Sequence, residues 1–138
     1  MAPSKRKRHQ PVDISAMLGP LEAEVMQIIW MRGPSLVSEI EEILNNRRSE
    51  PLAYKTVLTI CARLTEKGIL SYEKEGRAFR YGPTMTEAEF VADQAGKAAD
   101  TMLNRYGDVA LAALVDKVAS DPDQLAALRN LLSKRRAR

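Results

Sequence analysis

Apolar residues recur at helical spacing through Leu21, Val25, Ile28 and Ile29, opened by Gly19-Pro20 and closed by Gly33-Pro34. A proline at the first helical position gives up no needed N–H and presets φ, so the pattern predicts a helix near 20–32. Trp30, the only tryptophan, is expected half-buried at its end. After an extended stretch at 35–37, Ser38 stands three residues before Glu41, the spacing of a capping box, and Ile40, Ile43 and Leu44 supply the buried face of a second helix. Asn45, Asn46, Arg47 and Arg48 then lead to Pro51, a polar break. A third helix is predicted from Ala53 to Lys67, with Val57, Ile60, Cys61 and Leu64 as its apolar stripe and Gly68 in the position that ends helices in a left-handed conformation. Residues 69–75 and 77–81 read as two short strands joined at Glu75-Gly76-Arg77.

From Thr86 the period is helical to the end. Phe90, Val91, Ala95, Met102, Leu103 and Tyr106 mark one segment and Leu111, Leu114, Val115 and Val118 the next. A last segment is capped by Asp121, with Pro122 at its first position and Leu125, Leu128, Leu131 and Leu132 following. The expected fold is mainly α with a small β-hairpin (α+β). The order helix, helix, helix, hairpin is that of a winged helix-turn-helix domain at 19–83, and a helical domain at 84–138 follows it. Residues 1–18 hold Lys5, Arg6, Lys7 and Arg8 and two prolines, and are expected to form a basic tail outside the fold. Three short C-terminal helices cannot bury this much apolar surface alone, which makes 84–138 a homodimerisation domain. Its expected contact residues are Phe90, Val91, Met102, Leu103, Tyr106, Leu111, Leu114, Val115, Leu125, Leu128 and Leu132.

The 138 residues carry 21 basic and 18 acidic side chains, and the distribution of this excess is informative. Residues 1–19 hold four basic and one acidic, whereas 20–83 hold nine of each and 84–138 eight of each. The single cysteine, Cys61, leaves no internal disulfide and no Cys-rich metal cage, which fits a reducing cytoplasm. His9 stands alone in the tail, so neither a metal nor a cofactor is expected. No apolar run approaches the roughly 18–20 residues of a membrane span, so membrane insertion is not expected. A Gly-rich phosphate loop, a His paired with Ser or Cys, and metal-spaced ligands are all missing from the sequence, which argues against an enzyme.

Lys55, Thr59 and Arg63 fall at i, i+4 and i+8 on the third helix, opposite the apolar stripe. A helix fits the major groove, where Thr methyls meet thymine methyls and Arg bonds guanine, while phosphate contacts supply affinity. Lys55, Thr56, Thr59 and Arg63 are therefore the candidate readers of double-stranded DNA, with Tyr54 donating to a phosphate. Arg77 and Arg80 in the wing, Arg47 and Arg48 before the third helix, and Lys67 at its end are candidate phosphate ligands; Tyr81 is expected to pack. Two other readings stay open at this point. Winged helices also dock proteins, and interleaving of the basic residues with Glu66, Glu73 and Glu75 would favour that role. A MarR-like repressor would hold a small-molecule inducer in the helical domain, although Phe90 and Tyr106 are its only aromatic walls.

The segments LGPLEAEVMQIIW at 18–30, YKTVLTICARLTEKGIL at 54–70 and GRAFRYGP at 76–83 resemble the penicillinase repressors of the BlaI/MecI type, with a weaker likeness extending to residue 132. The resemblance implies a dimeric repressor on palindromic operators of β-lactam-resistance genes. It also implies release by cleavage, triggered by a membrane sensor protease. Family members are cut between an asparagine and a phenylalanine in the first dimerisation helix; the matching positions here are Thr101 and Met102, a departure from that pair. A copper-sensing branch uses a C-terminal cysteine motif, and no cysteine follows Cys61 here.

Overall fold

The computed structural model describes residues 12–137. In chain order these form α1 (Pro20–Arg32), β1 (Ser35–Leu36), α2 (Val37–Asn45), α3 (Tyr54–Glu66), β2 (Leu70–Glu75), β3 (Ala78–Pro83), α4 (Glu87–Tyr106), α5 (Asp108–Ala119) and α6 (Pro122–Arg136). The chain divides into two compact units, one over Asp13–Gln94 and the other from Ala95 onward.

In the first unit, α1, α2 and α3 pack around Val25, Met26, Ile29, Val37, Ile40, Leu44, Val57, Cys61 and Leu64, all buried. A three-stranded antiparallel sheet in the order β1-β3-β2 closes one side of this core. Ser35 faces Tyr81 and Leu36 faces Arg80 on one side of β3, while Leu70 to Glu75 pair with Pro83 to Ala78 on the other. The third helix ends in a Schellman motif. Gly68, at φ 81°, donates to the Thr65 carbonyl, and Ile69 donates to that of Leu64. At the hairpin tip the two-residue loop Gly76-Arg77 has φ +64° at the glycine alone among its residues, the II′ pattern that matches strand twist. The wing is thereby a tight ribbon, one residue later than predicted at each strand start.

Three expectations are corrected. The first concerns the tail expected over 1–18: Asp13 caps a 3₁₀ turn at Ile14–Ala16 by accepting from the Ser15 N–H and hydroxyl, and this drops Ile14 and Leu18 into the core. Lys5, Arg6, Lys7, Arg8 and His9 lie outside the described residues. The second helix starts one residue before Ser38: its cap is Leu36, whose N–H donates to Glu39 Oε1 at 2.8 Å, so Glu39 takes the role expected of Glu41. Phe90 is not a free dimerisation residue. It is 1% exposed, packs on Trp30 with ring centroids 5.7 Å apart and planes tilted by 44°, and belongs to the winged-helix core, with Val91 half-buried against it. The first unit therefore continues past residue 83 into α4.

The start of α4 is itself a capping box missed in the sequence. Thr86 N–H donates to Glu89 Oε1 and Glu89 N–H to Thr86 Oγ1. Trp30 Nε1 donates to the Met85 carbonyl at 2.9 Å, which ties this junction to α1. In the second unit, Asp121 accepts from the N–H groups of Asp123 and Gln124 at the head of α6, as its spacing predicts. Only Ala110 is buried among the described residues of this unit, and Leu103, Tyr106, Val109, Leu111, Leu114, Val115, Leu131 and Leu132 are exposed in the single chain. Among the described residues no helix is long and apolar enough to cross a membrane.

Candidate nucleic-acid interface

Helix α3 is amphipathic in the strict sense that one face is entirely core. Val57, Ile60, Cys61 and Leu64 are buried, which turns Tyr54, Lys55, Thr56, Thr59 and Arg63 outward, all of them exposed. Burial pushes the Cys61 thiol up to about 12, so it stays protonated and serves as packing. Thr59 Oγ1 donates to the Lys55 carbonyl at 2.9 Å, which uses its proton inside the helix and presents its lone pairs and methyl group to the exterior. Lys55 and Arg77 form no ion pair among the described residues, and Arg63 is close enough to Glu22 to help depress that carboxyl.

Three expected phosphate ligands already have protein partners. Arg48 Nη2 lies 2.6 Å from Glu24 Oε2 and joins the loop after α2 to α1. Lys67 Nζ lies 2.8 Å from Glu22 Oε2 and joins the end of α3 to the start of α1. Burial raises the Glu22 carboxyl, but the Lys67 ammonium, the Gly19 N–H and the Arg63 charge together hold it below the usual carboxylate range. Arg80 Nε donates to Glu75 Oε2 at 2.6 Å, and its Nη1 donates to the Pro34 carbonyl. Arg47 is exposed beside Gln27, Ile28, Trp30, Met31 and Glu87, around an open depression of about 410 Å³ on the winged-helix unit. Tyr81 packs as expected, 5% exposed, with Tyr72 and Phe79 completing an aromatic cluster on one face of the wing.

Two residues of the site were missed in the sequence. Lys74 is exposed on β2 two residues before Gly76 and adds a second cation to the wing; the run Lys-Glu-Gly-Arg is its only local signal. Asn45, read as part of a polar break, clamps the loop that launches α3. Its Oδ1 accepts the Leu52 N–H at 2.7 Å and its Nδ2 donates to the Leu52 carbonyl at 3.1 Å, which sets the backbone just before the Ala53 cap. Asn45→Ala leaves both part-buried Leu52 groups unpaired and is expected to cost about 1–3 kcal/mol, read by urea denaturation. An unchanged midpoint would show that the clamp adds nothing.

A family model described as "Penicillinase repressor" matches residues 18–134. The chain belongs to the penicillinase repressor family. It is 35% identical over 122 residues to the transcriptional regulator BlaI of Mycobacterium tuberculosis, spanning 85% of this chain and 83% of that one. The penicillinase repressor of Bacillus licheniformis is 31% identical over 94 residues, 68% of this chain and 69% of the relative. Among solved structures, the monomeric form of Bacillus licheniformis BlaI in complex with the blaP half-operator is 32% identical, covers 60% of this chain and 90% of its own, and superposes with a TM-score of 0.41. As a penicillinase repressor family member, the chain has relatives that are transcriptional regulators, not enzymes. Its α3 face and wing are the parts that the segments 54–70 and 76–83 build.

Proposed function

We propose that this chain is a cytoplasmic DNA-binding transcriptional repressor of β-lactam-resistance genes that binds a palindromic operator as a homodimer. One observation carries the reading: the cations of the winged-helix unit that form no ion pair among the described residues, Arg47 apart, gather on α3 and the wing. Of its nine basic residues, Arg32, Arg48, Lys67 and Arg80 are ion-paired. Lys55, Arg63, Lys74 and Arg77 remain on α3 and the wing, and only Arg47 lies elsewhere. Of the carboxylates whose interleaving with these charges would favour a protein-docking face, Glu75 is held by Arg80, while Glu66 and Glu73 are exposed and in no ion pair among the described residues.

In this reading α3 enters the major groove, with Lys55, Thr56, Thr59 and Arg63 at base edges and phosphates and Tyr54 at a phosphate, while Arg77 and Lys74 follow the adjacent backbone. The exposed apolar side chains of α4 to α6, Leu103, Tyr106, Leu111, Leu114, Val115, Leu131 and Leu132 among them, are covered by a second copy. Met102, Leu125 and Leu128 are half-buried already and complete that seam. Release by a membrane-sensor-triggered protease has to open α4, because Thr101 and Met102 lie inside it and Thr101 Oγ1 is bonded to the Lys97 carbonyl.

The test is an anisotropy titration with a palindromic β-lactamase-promoter fragment and a scrambled control at two salt concentrations, alongside sedimentation equilibrium. The expected result is a dimer that prefers the palindrome by at least about 1,000-fold and loses affinity steeply with salt. Equal, weak binding to both fragments would reject the repressor reading.

A further inference from the structure

An ionic chain runs from the end of α1 to the tip of the wing. Arg32 Nη2 meets Glu39 Oε2 at 2.9 Å, Glu39 Oε1 faces Arg80 Nη1 at 3.6 Å, and Arg80 Nε meets Glu75 Oε2 at 2.6 Å. Its inner end is anchored in the backbone: Glu39 Oε1 accepts the Leu36 N–H, and Arg32 Nε donates to the hydroxyl of fully buried Ser35. The Leu36 N–H above all, with the Arg32 and Arg80 charges, holds the Glu39 carboxyl below the usual range, so it is ionised at neutral pH. At the outer end, Glu75 directly precedes the Gly76 turn that presents Arg77.

The chain acts where the sheet stops supporting the hairpin. β1 reaches only to Arg80, facing it through Leu36, so residues 75–79 have no third strand beside them. A two-stranded ribbon is marginal in water by itself and swings unless its base is held. Arg80 sits at that base with Leu36 on one side and Glu73 on the other. Its planar fork serves Glu75 through Nε while Nη1 reaches the Pro34 carbonyl and Glu39, an arrangement an ammonium cannot reproduce.

We infer that Glu39 and Arg80 are positioning residues that set the direction of the wing so that Arg77 meets DNA, and that Arg80 is not itself a phosphate ligand. This rests on the DNA-binding reading above. It replaces the expected phosphate role of Arg80 and gives Glu39 a role beyond capping α2.

Glu39→Gln separates the possibilities by sign, because glutamine keeps an oxygen for the Leu36 N–H while it loses the charge and sets an amide donor where Oε2 accepts from Arg32. If Arg80 bound phosphate, removing a carboxylate from its side would strengthen it and operator binding would tighten. The strut predicts the reverse: affinity about threefold weaker, with an unchanged salt slope because Arg77 still reaches its phosphate in the complex, at the added cost of ordering the ribbon. Arg80→Lys weakens binding similarly, and the double variant is no worse than either single one. In the DNA-free full chain, the heteronuclear NOE of the Gly76 and Arg77 amides falls in both variants as the ribbon gains ps–ns motion. Equal or tighter operator binding by Glu39→Gln, or an unchanged NOE, overturns the inference. If the wild type failed to discriminate operator from scramble, the repressor reading would fall, and the NOE would still decide whether the strut holds the wing.

Discussion

Replacing Lys55 and Arg63 together by alanine is expected to weaken operator binding by roughly 30- to 1,000-fold at 0.15 M salt, the equivalent of about 2–4 kcal/mol. Both side chains point away from the core on α3; Lys55 has no ion pair among the described residues, and Arg63 adds only its charge near Glu22, whose direct partner is Lys67, so the fold depends little on either. Stability should stay within about 0.5 kcal/mol of wild type, since alanine is at least as good a helix former as either residue. The slope of log affinity against log salt should shrink by about one for each phosphate that is no longer neutralised. Binding would be read by anisotropy and folding by thermal melt on the same samples. Unaltered affinity with an unaltered melt would remove α3 as the reading element, whatever else the wing does.

The exposed face of α3 was legible because it needs only local information. Gly68 ends the helix, the stripe of Val57, Ile60, Cys61 and Leu64 fixes its rotation, and a 3.6-residue period then leaves Lys55, Thr59 and Arg63 opposite. The same logic placed α1 between Gly19-Pro20 and Gly33, and α6 after Asp121. What local pattern cannot supply is the partner of a charge. Lys67 and Glu22 are 45 residues apart and Arg48 and Glu24 are 24 apart, so residues that look like free cations in a row of letters are neutralised once the helices pack. The cap of α2 failed for a related reason. Leu36 and Glu39 have the same spacing as Ser38 and Glu41, and a search for a hydroxyl at the cap overlooks a start held by the carboxylate alone. Only the packing of β1 beside β3 decides which start is used.

Phe90→Ala is expected to have the largest effect on stability, and it separates two roles for the start of α4. Periodicity shows that Phe90 and Val91 lie on an apolar face but not which surface that face covers. The ring is buried on Trp30, whose indole N–H is bonded to the Met85 carbonyl, so truncation opens a cavity at the junction between the wing and α4. The expected cost is about 3–5 kcal/mol, as for other large-to-small changes in a packed core. Denaturation followed by Trp30 fluorescence should show a lower midpoint with the same slope on denaturant, since the surface exposed on unfolding hardly changes. A residue of the dimer seam would behave otherwise. Its removal acts through mass action, so the midpoint would recover as protein concentration rises, and the sedimentation constant for the dimer would weaken. For Phe90→Ala the shift in midpoint should be the same at low and high protein concentration, because the Phe90 ring packs entirely within one protomer. Leu114→Ala, exposed in the single chain, supplies the contrast: little loss within the protomer and a weaker dimer.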